Sequence, residues 1–189
     1  MTKKEQLNII NDAIKKTKFN LKPLGYNFIF WGVLINLMTF FHFFFPQIVQ
    51  FTYYSSTIYW ILIPLLGMVY TTYYNIKTGN IIGYETQLGR VIRIIWGVFG
   101  FSWLAIIAIS LISDLNPVPD ILFLLGITLM TSGIIIKFNK ITFGGIALII
   151  FVVYTSFQPG LNPLIINAVG ITFGMLIPGL ALYFQKENE

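Results

Sequence analysis

One histidine, seven acidic residues and no cysteine are the whole stock from which acid–base, nucleophilic or metal chemistry would be built. Without thiolates there is no disulfide, no cysteine nucleophile and no sulfur-ligated metal. A serine nucleophile needs a base and an orienting group, and acid–base catalysis needs paired carboxylates at reachable spacing. Neither pattern occurs, and the glycine-rich stretch 79–89 lacks the GxxxxGK[ST] spacing of a phosphate cradle. The sequence therefore predicts a non-enzymatic protein with no cofactor and no metal site.

Two constellations remain as candidates. His42 stands near the end of an apolar run and can meet Asp114 or Asp120 of a later turn, as a proton-relay or ligand pair. Asn36, Thr128, Thr131, Ser132 and Asn167 sit inside apolar runs and can line a small polar pocket, or can instead tie helices together by hydrogen bonds.

The elements that position these residues are membrane helices. The chain has 189 residues, 56% hydrophobic and 10% charged, with mean hydropathy +0.77, too apolar for a surface wetted by water. Six runs approach the roughly 20 apolar residues that cross a bilayer: 27–45, 58–76, 94–112, 118 or 121 to 136, 141–157 and 164–184. Pro23 and Gly25 read as a break before the first, and Pro64 and Gly67 as a kink in the second. Residues 77–93 read as the longest connection on the inner side. Pro178 and Gly179 interrupt the last run, as a hinge or as a static kink.

Before the first span, residues 1–22 read as an interfacial amphipathic helix. Thr2 and Glu5 have capping-box spacing, and Leu7, Ile10 and Ile14 fall on one face. Lys15, Lys16, Lys18 and Lys22 are placed to touch anionic headgroups, each contributing on the order of 1 kcal/mol. This gives a polytopic all-α protein: the interfacial helix, a six-helix domain over 23–184 and a polar tail over 185–189.

All twelve Lys and Arg residues fall on one side of that map, and the three outer connections hold none. By the positive-inside rule the basic side is cytoplasmic, so both termini are expected in the cytoplasm. A net charge of +5 is then a topology signal rather than a mark of nucleic-acid binding. No span carries Asp, Glu, Lys or Arg at its middle, which disfavours ion-coupled transport.

Glycine patches at Gly32, Gly97 and Gly144–Gly145 in the outgoing helices, and at Gly67, Gly126 and Gly170 in the returning ones, fit one helical hairpin used three times. They fit shared membrane composition as well.

Three short stretches, Phe28-Ile29-Phe30-Trp31-Gly32, Gly133-Ile134-Ile135-Ile136-Lys137-Phe138 and Ile177-Pro178-Gly179, make the chain resemble an uncharacterised family of small six-helix bacterial inner-membrane proteins. The resemblance implies a six-helix membrane fold and transfers no catalytic or binding residue. The expected role is that of an interaction or accessory component of a bacterial cytoplasmic membrane, in contact with membrane lipid and with copies of itself or other membrane proteins. The alternative is a small transporter or channel for an uncharged or lipid-like solute.

Overall fold

The computed structural model describes residues 22–52, 54–82, 87–158 and 160–184. The interfacial helix expected over 1–22, with Lys15, Lys16 and Lys18, and the tail over 185–189 lie outside them, save that Lys22 opens the first described helix.

The described residues form helices and no strands. In chain order these are α1 (Lys22–Phe44), the single turn α2 (Pro46–Val49), α3 (Ser55–Ile82), α4 (Gln87–Ser113), α5 (Val118–Ile135), α6 (Asn139–Ser156) and α7 (Pro163–Tyr183). All but α2 are long and apolar enough to cross a membrane. Proline opens several of them, at Pro46, Pro119 and Pro163, where its missing N–H would have no helical partner. The side chain of Asn162 caps α7 by accepting from Leu164 N at 2.8 Å.

Helix ends depart from the hydropathy reading. Pro23 and Gly25, expected to break the chain, lie inside α1. Pro23 sits in the first described turn. Gly25 is one of the points where α7 approaches closely, since a Cβ there would stand 2.9 Å from Tyr183 N. The inner connection 77–93 shrinks, because α3 runs on to Ile82 and α4 begins at Gln87. A helix satisfies its own backbone on both sides of the hydrocarbon boundary, so loss of hydropathy does not end it. α3 also passes through Pro64, whose residue is buried.

Packing is centred on α7 and thins toward α3 and α4. The spanning part of α7 is 44% buried within the chain and that of α4 only 11%, so α4 stands at the edge. α5 and α6 form the tightest pair, joined by a turn in which Phe138 N–H bonds Gly133 O at 2.9 Å and Lys137 N–H bonds Ile134 O at 3.2 Å. That is the paired reach-back of a Schellman turn, with Lys137 at φ 56° in the position glycine usually takes. Beyond the turn the two backbones touch: a Cβ on Gly133 would lie 2.4 Å from Thr142 N, and one on Gly145 2.4 Å from Met130 N.

α1 and α7 meet the same way. A Cβ on Gly32 would lie 2.8 Å from the Leu176 Cβ, and one on Gly179 2.6 Å from the Phe28 Cβ. Close backbone approach, with its dispersion contacts, is how helices associate where lipid supplies no hydrophobic drive. Of the glycines in the expected repeat, Gly32 and Gly145 are such contact points, whereas Gly97 faces open space.

Substitution by alanine separates the two kinds of glycine. Gly145→Ala and Gly133→Ala are expected to lower the melting temperature in detergent, each by overpacking of about 1–3 kcal/mol. Gly97→Ala is expected to be neutral or to stabilise by up to about 1 kcal/mol through helix propensity. Equal effects at Gly145 and Gly97 would contradict this packing.

Candidate functional site

Four polar residues meet at the α1–α7 contact. Asn36 and Thr39 climb one helix, Asn167 and Thr172 descend the other, and the antiparallel register joins them in pairs. Asn167 Nδ2 donates to Thr39 Oγ1 at 2.9 Å in a buried setting. Thr39 Oγ1 donates onward to Ile35 O at 2.8 Å. Thr172 Oγ1 donates to Asn36 Oδ1 at 3.3 Å, and Asn36 Nδ2 donates to Gly32 O at 2.8 Å. Asn36 is thus bonded both across the interface and within its own helix, and Asn167 across the interface, so neither amide is stranded without a partner in the interior.

Thr172 also opens the irregular turn of α7. Residues Thr172–Leu176 form a π-helical turn, and Ile177 N–H bonds Thr172 O. Pro178 follows at once; it has no N–H for Gly174 O, and its ring would crowd that carbonyl in a regular helix. The wider turn relieves the clash. Gly144 of α6 fills the space, since a Cβ there would meet Pro178 Cγ at 2.8 Å and Gly174 O at 3.2 Å. Helices on both sides therefore pack directly against the Pro178–Gly179 interruption.

The five-residue pocket expected from the sequence divides. Asn36 and Asn167 join the α1–α7 seam, with Thr39 and Thr172 as partners that sequence reading did not single out. Thr128, Thr131 and Ser132 lie on α5, and no hydrogen bond among the described residues links them to the two asparagines. Thr128 Oγ1 donates to Leu124 O of its own helix at 2.8 Å, and Thr131 is half-buried. Ser132 is fully buried, and its Oγ has no partner.

His42 belongs to a second cluster, at the opposite end of α1 from Lys22. Trp60 Nε1–H donates to His42 Nδ1 at 2.9 Å. An indole only donates, so Nδ1 is the unprotonated nitrogen and the neutral ring carries its proton on Nε2. The Gln50 carboxamide stands 2.7 Å from Nε2 and accepts that proton when its oxygen is presented. Around this pair, Tyr59 Oη donates to Met38 O at 3.0 Å and Ser55 Oγ to Val49 O at 2.8 Å. The pairing of His42 with Asp114 or Asp120 does not form, because both ring nitrogens are already engaged. Asp114 and Asp120 are exposed at the α4–α5 turn, Asp114 at φ 52° and Asp120 in the first turn of α5, where a carboxylate complements the helix dipole.

No family model, curated protein or solved structure matches the chain. Among the described residues no group of three or more His, Cys, Asp or Glu side chains is placed to hold a metal ion. What the geometry offers chemically at the α1–α7 contact is hydrogen bonding between helices, through amides and hydroxyls.

A double-mutant cycle tests the seam. Thr39→Val and Asn167→Ala are expected to couple by about 0.6–1.7 kcal/mol, the range of membrane interhelical hydrogen bonds. The readout is reversible unfolding in mixed micelles, and strictly additive effects would show that the bond contributes nothing.

Proposed function

We propose that this chain is a multi-pass integral protein of a bacterial cytoplasmic membrane, with both termini cytoplasmic, that acts without catalysis as an interaction or accessory component. The observation carrying the reading is the isolation of α4. It is a spanning helix whose span is 11% buried within its own chain, and Gly97, Phe101, Leu104 and Ala108 of its outward face are all exposed. These residues recur at helical spacing, and Gly97 leaves room for another helix to approach closely. A second membrane protein, or a second copy of this chain, is the partner such a face would take.

Transport of an uncharged or lipid-like solute is the second reading. It draws no support from Asn36 and Asn167, whose amides are bonded to threonines across the α1–α7 contact.

Site-specific photocrosslinking discriminates. A photoreactive residue at Phe101 of α4 is expected to give a discrete protein adduct in native membranes, and one at the also exposed Phe143 of α6 is expected to give lipid adducts alone. Lipid adducts alone at both positions would contradict the interaction role.

A further inference from the structure

α3 and α4 follow one another in the chain, yet among the described residues no Cα of one comes within 8 Å of a Cα of the other. Packed helices, with axes about 8–10 Å apart and Cα radii of about 2.3 Å, would approach far closer. The thioether of Met68 reaches across instead, its methyl 3.6 Å from where a Gly100 Cβ would stand. α1 touches α4 in a similarly slender way, through the Phe28 and Trp96 rings, 5.2 Å apart. The backbones of α3 and α4 therefore stand apart, leaving an interhelical gap, the α3–α4 cleft, that the Met68 side chain bridges.

One face of α4 carries an ordered series of groups along this cleft. Arg93, Trp96 and Gly100 recur at spacings of three and four and share a face, and Arg90 lies one turn before Arg93, both arginines exposed at the basic end. Trp96 is about 4.5 Å deeper along the axis than Arg93, and Gly100 about 10 Å deeper. The Trp96 Nε1–H is buried and has no acceptor, an expensive omission in an apolar interior. Guanidinium, then an N–H donor, then apolar wall is the polarity order of a phospholipid read from its head downward: phosphate, ester oxygen, acyl chain.

We propose that the α3–α4 cleft holds one anionic phospholipid, with its phosphate at Arg90 and Arg93, an ester oxygen accepting from Trp96 Nε1, and one acyl chain lying past Gly100 in place of the Met68 side chain. Met68 is suited to yield, because an unbranched thioether repacks readily. The lipid completes an interface that protein side chains leave thin and supplies the indole with its missing partner. This rests on membrane insertion, but it does not depend on the accessory role.

The test uses the full chain, purified in detergent and stripped of lipid, with phosphatidylglycerol and phosphatidylcholine as probes and native mass spectrometry as the readout. Wild type is expected to retain one phosphatidylglycerol in preference to phosphatidylcholine. Arg90→Gln/Arg93→Gln is expected to weaken retention roughly tenfold or more, and Trp96→Phe roughly fivefold, as lost charged and neutral hydrogen bonds would. Equal retention of the two lipids by wild type, or full retention by either variant, overturns the proposal. Phosphatidylglycerol carrying a diazirine in its acyl chain needs no substitution: labelling concentrated in α3 and α4 supports the cleft, and labelling spread over α5 and α6 overturns it. Extraction of the chain from membranes by alkaline washing would instead sink the reading as an integral membrane protein, an outcome separate from lipid selectivity.

Discussion

A cation in the middle of a bilayer costs several kilocalories per mole, and a backbone amide without a partner there costs a similar amount. Those two penalties shape this chain together. In the proposed membrane setting the first keeps the described basic residues Lys22, Lys77, Arg90, Arg93, Lys137 and Lys140 at one end of the bundle, and the second makes each crossing a helix. Once the crossings are helices in a medium as apolar as their own side chains, burial no longer pulls them together, and contact must come from shape. The glycines at 25, 32, 133, 145 and 179 supply it, each at a point where a methyl group would overlap the neighbouring helix. Asn36, Thr39, Asn167 and Thr172 follow the same rule, meeting one another across α1 and α7.

Six apolar helices were legible in the sequence because twenty-residue runs are a coarse and redundant signal. Their ends were less so. Hydropathy reports where the solvent changes, whereas a helix stops where its backbone finds other partners, so α3 continues past Lys77 to Ile82 and α1 takes in Pro23 and Gly25. The single turn α2 was hidden for a similar reason. Four residues are too few to show a period, and only Pro46 at its start marks it.

The polar residues were legible as types and not as pairs. Asn36 and Asn167 stand out in any apolar helix, but choosing Thr39 and Thr172 over Thr128 and Ser132 as their partners requires knowing that the first and last spans are adjacent. A trace of that adjacency exists in the sequence, since both helices carry an amide and then a hydroxyl a few residues on, so that antiparallel packing sets each amide opposite a hydroxyl. His42 was harder. Its partners, Gln50 and Trp60, come from the fold-back through α2, and the aspartates favoured by charge sit on a turn that does not reach it. Pro178 announced an irregularity in α7; that it takes the form of a π turn sealed by Gly144 depends on how closely α6 approaches.

The claim beneath all of this is that the basic end faces the cytoplasm and the chain crosses the membrane six times. Single cysteines in the two exposed turns of the central helices measure it directly, read by a membrane-impermeant maleimide on intact bacterial cells. Asn116→Cys, between α4 and α5, is expected to label at once, and Asn139→Cys, at the start of α6, only after the cells are permeabilised. Labelling of position 139 from outside, with position 116 protected, would contradict the account.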